Sequence, residues 1–311
     1  MKKDFYFGPH RVAATEWAIE KPKAIVQIVH GMIDHIGTYD EFAQFLNQAG
    51  YLVVGNDHMG HGATVSEAEE YGRFARDWTC LVEDVHDLHQ EMKQRYPELP
   101  HFLMRHSMGS FITRAFLAKY GHEIDGAIIM STGQLPLYQS RGAILIGHLI
   151  KCFKGGDYAS PLLHYFSTGR LNHAYAPNKT DGDWLSRDEA AVARSLGDSK
   201  RQFVPSVNMS LGIFHLANLV AQQATIDQIP RSLPLLLIAG DGDPLGNFGK
   251  GIRQLEERIA RHHEGTLKTI LYPGARHELL VETNKAEVMN DLLNWLNVTI
   301  QAENPTIQAV L

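Results

Sequence analysis

The chain has almost no cysteine, only Cys80 and Cys152 in 311 residues. Two thiols cannot frame a disulfide-stapled domain, and a reducing compartment is the simpler home for them. Positive charge is also in short supply. Lys and Arg number 29 against 35 Asp and Glu, a formal net charge of -6. That argues against nucleic acid as a partner, because such proteins carry a basic face. Long apolar runs are missing too. The longest, "GAILIGHLI" (142 to 150), falls well short of the ~20 residues a spanning helix needs. The two lysines near the start precede no apolar stretch, so no secretory leader is read there. The triplets at Asn178, Asn208 and Asn297 are then not expected to carry glycans. Internal repeats and low-complexity segments are absent, as is a His-Glu-x-x-His metal motif. His58 and His61 in "DHMGHG" read as loop structure, so no metal is expected. These absences leave a cytoplasmic globular protein that meets a membrane, if at all, only at its surface.

What is present is a rhythm. With 44% hydrophobic residues the chain can bury a sizeable core. Short apolar runs bounded by turn signals read as strands at 24–31, 51–57, 101–104 and 126–132. Between them, 39–50, 80–100 and 108–121 carry helical spacing. Strand and helix in alternation predict a mostly parallel sheet with helices on both faces, an α/β fold. The rhythm stops after 134 and resumes with a strand at 233–243, a helical stretch at 246–263, a strand at 267–274 and a helix at 284–300. Residues 1–134 and 229–311 are thus expected to form one core, with 135–228 as a helical insertion.

In such sheets ligands bind at the carboxyl ends of the strands, and four of those ends carry suggestive residues. Ser107 in "FLMRHSMGS" falls in a strand-to-helix turn, where a serine oxygen is lifted from the backbone beside free helix N–H groups. A serine is also a common helix cap. Small residues are wanted two before and two after it; Gly109 fits and Arg105 does not. Asp243, in "GDGDPLG", can orient an imidazole. Asp241 is a rival closer to the strand end, and either aspartate could simply shape the turn. His277 is the one histidine after the final strand. The order Ser, Asp, His along the chain is that of α/β-hydrolases. "VHGMIDH" follows the first buried strand, and the backbone N–H of Met32, with that of Met108, is a candidate oxyanion donor.

"HGMIDHIGTYDEF" and "DHMGHG" resemble the serine aminopeptidase S33, or hydrolase-4, branch of α/β-hydrolases, which includes monoacylglycerol lipases and lysophospholipases. The matching residues are His30, Gly31, Asp34, His35, Tyr39 and Asp40, then Asp57, His58, Gly60, His61 and Gly62. Asp34 stands where Glu is commoner. "DWLSRD" (183 to 188) also looks like bacterial lysophospholipase-like members. The resemblance spans residues 20 to 300 and is weakest in 140 to 225. It implies an α/β-hydrolase fold with a helical cap, a Ser107–Asp243–His277 triad, and oxyanion donors at Met32 and Met108. It further implies cofactor-free hydrolysis of acyl glycerols, lysophospholipids or smaller esters. The apolar runs of the insertion would suit an acyl chain, or serve as a plain packing face. The departure is "RHSMG" where the branch has "GHSMG". The arginine either shifts the turn or reaches outward and leaves it intact. A peptidase, acyltransferase or haloperoxidase could use the same triad, and an impaired chain could bind lipid without turnover.

Overall fold

A computed structural model describes residues 1–303. Its centre is a sheet of eight strands. These are β1 (Lys2–Phe7), β2 (Val12–Trp17), β3 (Ala24–Val29), β4 (Tyr51–Asn56), β5 (His101–His106), β6 (Gly126–Met130), β7 (Leu235–Gly240) and β8 (Leu267–Tyr272). Their spatial order is β1-β2-β4-β3-β5-β6-β7-β8. The run from β4 to β8 is parallel, while β1 pairs with β2 and β2 with β4 in antiparallel fashion. The expected α/β architecture with a mostly parallel sheet is therefore present. The antiparallel β1–β2 pair is an addition that the sequence reading did not foresee. Glu16 hides it: this acid lies buried in β2, held by Arg95 at 2.5 Å and by the Tyr96 hydroxyl at 3.2 Å.

Helices cover both faces. They are α1 (Asp40–Gln48), α2 (Cys80–Arg95), α3 (Met108–Tyr120), α4 (Leu137–Lys154), α5 (Pro161–His164), α6 (Glu189–Gly197), α7 (Val207–Val220), α8 (Gln223–Ile226), α9 (Lys250–Ala260) and α10 (Lys285–Glu303). Successive strand residues point to opposite faces. Leu103, Ile129 and Leu237 accordingly pack under α2, α3 and α9. Met104, Ile128 and Ile238 pack with Phe42 of α1 and Leu292 of α10. Two helices are shorter than their patterns suggest. The stretch from 246 becomes helical only at Lys250, because Asn247, Phe248 and Gly249 all take positive φ. The helix from Cys80 stops at Arg95, before "YPELP".

Helices α4 to α8 all lie between β6 and β7. Part of this segment has its own apolar cluster, Leu163, Val207, Leu211 and Phe214, with Ile146 and Ile150 of α4 against it. The opposite side of α4 leaves Tyr138, Leu145, Leu149 and Phe153 exposed. Among the described residues, no helix is long and apolar enough to cross a membrane.

Candidate active site

The sheet brings the sequence-derived candidates to one edge. In register, Val29 of β3 pairs with Arg105 of β5, which pairs with Ile129 of β6. The loops leaving these strands carry Met32, Ser107 and Ser131; those leaving β7 and β8 carry Asp243 and His277. Ser107 has φ 55° and ψ −121°, a strained conformation for a residue with a side chain. It makes no capping bond through its hydroxyl. At Gly109 any Cβ would run into the carbonyl oxygens of Val29 and His30, so only glycine lets α3 come this close to β3.

Asp243 and His277 meet. The imidazole Nδ1–H donates to Asp243 Oδ2 at 2.9 Å, and both residues are buried. The other oxygen, Oδ1, accepts the Leu245 N–H at 2.9 Å. Asp241 instead accepts the Gly274 N–H at 2.6 Å and shapes the neighbouring turn. Ser107 and His277 line the same chamber, without a hydrogen bond between their side chains. Such bonds are often long in the free state of an enzyme and tighten on the reacting complex. The backbone N–H groups of Met32 and Met108 have no hydrogen-bond acceptor among the described residues.

The remaining motif residues build the scaffold. His30 Nδ1–H donates to the Gly31 carbonyl at 2.7 Å, and its Nε2 accepts the His58 N–H at 3.0 Å. Asp57 accepts the N–H groups of Ile36 at 2.7 Å and Ala63 at 2.6 Å. The two histidine-rich loops are thereby tied together beneath Met32.

Two chambers meet at Met32 and Ser107. One, about 390 Å³, is walled mainly by apolar side chains such as Phe111, Ile146, Ile213 and Phe214. The other, about 400 Å³, holds the charged or titratable Asp34, Arg201, His277 and Glu278 among apolar residues such as Ile33, Leu185 and Phe203. Arg201 Nε donates to the Ile33 carbonyl at 2.9 Å, and the guanidinium is ion-paired with Glu278. Burial opposes its charge, yet Glu278 and Asp34 hold its pKa above the ordinary arginine value. Burial likewise works against the Asp34 carboxylate, but Arg201 keeps it below the usual range.

Arg105 does not take the outward course. Its side chain turns inward, and Ser107 keeps the positive φ of a tight turn. Arg105 is fully buried, on the sheet face that carries Leu103. Its Nε donates to the Ile128 carbonyl at 2.9 Å, while both terminal nitrogens lack partners among the described residues. Burial pushes its pKa well down, and the nearby Arg114 pushes the same way.

Sequence reasoning missed His106, Ser131, Trp184, Arg201 and Glu278. Trp184 sits inside "DWLSRD", a motif noted without a role. The others lie far apart in the chain and carry no periodic signal.

The family model for serine aminopeptidase, S33, matches residues 20–284. The chain belongs to this family. It is an α/β-hydrolase of the monoacylglycerol lipase-like branch. A monoacylglycerol lipase of Mycolicibacterium smegmatis is 29% identical, over 93% of this chain and 94% of its own length. A monoglyceride lipase of Rattus norvegicus is 30% identical, over 90% of this chain and 82% of its own. Among solved structures, a thermostable carboxyl esterase from Bacillus coagulans superposes with a TM-score of 0.88. It is 28% identical, and the match covers 96% of this chain and 98% of that one.

Proposed function

We propose that the chain is a serine hydrolase that cleaves lipid-like carboxylic esters, of the monoacylglycerol or lysophospholipid kind, through an acyl-enzyme. Ser107 Oγ attacks the ester carbonyl and passes its proton to His277 Nε2. Asp243 holds the imidazole and stabilises its charged form. The N–H groups of Met32 and Met108 receive the oxyanion, each contributing about 3 kcal/mol to the barrier reduction. Collapse expels the alcohol, which takes the proton from His277. Water then attacks the acyl-enzyme, with His277 as base, and frees the acid. Neither metal nor cofactor takes part.

The observation that carries this reading is the bonded Asp243–His277 pair beside Ser107, whose backbone is strained as in a nucleophile elbow. The substrate class is supported by the relatives' names and by the two chambers. The one walled by Phe111, Ile146, Ile213 and Phe214 suits an acyl chain, and the charged side chains of the other suit a hydroxylated leaving group. We assign residues 135–228 as the cap. Its exposed Tyr138, Leu145, Leu149 and Phe153, next to Lys151 and Lys154, suit transient contact with a membrane surface. Free Cys80 and Cys152 fit a cytoplasmic location.

The test is hydrolysis of monoacylglycerol, lysophospholipid, p-nitrophenyl esters and aminoacyl amides. The expected result is turnover of the esters and none by Ser107→Ala. Turnover of the amides alone would replace the esterase reading with a peptidase. A second reading rests on the two unpartnered terminal nitrogens of buried Arg105. In it the chain keeps the cleft, binds fatty acid or lysolipid saturably, and turns nothing over.

A further inference from the structure

The motif "DWLSRD" has no task in the reaction as written, yet it lies against the candidate catalytic histidine. We infer that Trp184 is a positioning residue for His277, supplied by the cap; this rests on the triad reading above. Nearly every polar atom of His277 is engaged. Its backbone N–H donates to the Trp184 carbonyl at 3.4 Å. Its carbonyl accepts from Ser131 Oγ at 2.7 Å and from His106 Nε2–H at 3.0 Å. Its Nδ1–H is on Asp243. What is left is Nε2, the atom that must take the proton.

Two aromatic rings also pack against the imidazole. The His106 ring lies 4.6 Å away between centroids, tilted by 52°. The Trp184 indole lies 4.7 Å away, tilted by 36°. The loop around His277 is fastened to the same cap segment. Arg276 donates to the carbonyls of Asp183 and Ser186, and the Glu278 N–H donates to the Leu185 carbonyl at 2.7 Å. Arg187 Nε donates to the buried Glu282 at 2.9 Å, and Glu282 in turn accepts the Arg276 N–H at 2.8 Å. Three successive residues, 276 to 278, are therefore bound to residues 183 to 186.

The chemistry of this arrangement is specific to the ring. When Ser107 attacks, His277 becomes an imidazolium. An indole face attracts such a cation through its quadrupole, and the attraction exists only while the charge does. An interaction stronger in the transition state than in the ground state raises kcat rather than lowering KM. Trp184 thus does two things: its backbone seats the histidine, and its ring favours the charged form.

The experiment compares Trp184→Phe with Trp184→Leu, which keep apolar bulk and differ in the π face. Three quantities are read: the rate at which a fluorophosphonate labels Ser107, kcat and KM for p-nitrophenyl butyrate, and the melting temperature. The Phe variant is expected within about threefold of the parent in labelling rate and kcat. The Leu variant is expected to be slower in both by on the order of tenfold, with KM within about twofold and melting unchanged. Equal rates for Phe and Leu would overturn the role of the ring. A raised KM with unchanged kcat would overturn it too, and make Trp184 a wall of the leaving-group chamber. If neither the parent nor Arg105→Gly is labelled at Ser107, the triad reading falls, and this role falls with it.

Discussion

Arg105 and Arg201 carry the same side chain on two sides of one serine, and the protein treats them oppositely. Arg201 lines the chamber in front of Ser107, paired with Glu278 and close to Asp34, and its charge is favoured. Arg105 sits in the core behind the turn with no carboxylate in reach, and its charge is disfavoured. Both are largely hidden from water. Partners, and not depth, decide what a buried cation does to a fold. The second lesson concerns location. Arg105 burdens the sheet–helix core, while the strained backbone of Ser107 and the Asp243–His277 bond are both in place. We expect its cost to fall on stability before it falls on the site.

That contrast can be broken from the front first. Arg201→Met leaves Glu278 and Asp34 without their cation, and is expected to lower unfolding stability by about 3–5 kcal/mol in urea titrations. From behind, Arg105→Met removes a charge that has no counter-ion and keeps apolar volume. It is expected to raise stability by about 2 kcal/mol or more, seen as a higher melting temperature. A fall on Arg105→Met would mean that the guanidinium has partners this account lacks. Activity sharpens the point. Arg105→Gly is expected to hydrolyse p-nitrophenyl butyrate within about tenfold of the parent. A gain near 100-fold would match a displacement of about 1 Å at the nucleophile, and would favour the second reading.

At neutral pH the smallest effect comes from histidines buried without charge. Burial pushes the pKa of His61, His89 and His106 down to about 4, and lowers that of His30, His58 and His101 as well. The unfolded chain takes up these protons at about pH 6.5; the folded chain takes up those of His61, His89 and His106 only near pH 4. Protons are thus bound preferentially by the unfolded state in between. Stability is full above about pH 6.5 and is lost as pH falls toward 4, by up to about 1.4 kcal/mol per pH unit for each group. Urea titrations from pH 7 to pH 5 read that slope directly.

Much of this was legible from residues alone. The strands that became β4, β6 and β7 are nearly continuous apolar runs, because a parallel sheet covered on both faces must be apolar on both, while the edge strand β8 carries Lys268 and Thr269 and is only half-buried. The triad candidates were legible because chain order and strand ends constrain them together. The β1–β2 pair was not, since Glu16 and Thr15 break the pattern and find their partners on α2 and β1. The surroundings of His277 were not legible either. Trp184 comes to it from the insertion and Ser131 from the end of β6, contacts set by tertiary packing and not by periodicity. Arg105 was visible as a departure, but its burial was not, because sequence does not tell which way a long side chain turns.

The most direct test of the central claim is stoichiometric labelling of the folded chain with a fluorophosphonate, followed by peptide mapping. One label per chain is expected, on Ser107, abolished in Ser107→Ala and strongly slowed in His277→Ala. A folded chain that takes no label at Ser107, or carries it elsewhere, would contradict that claim.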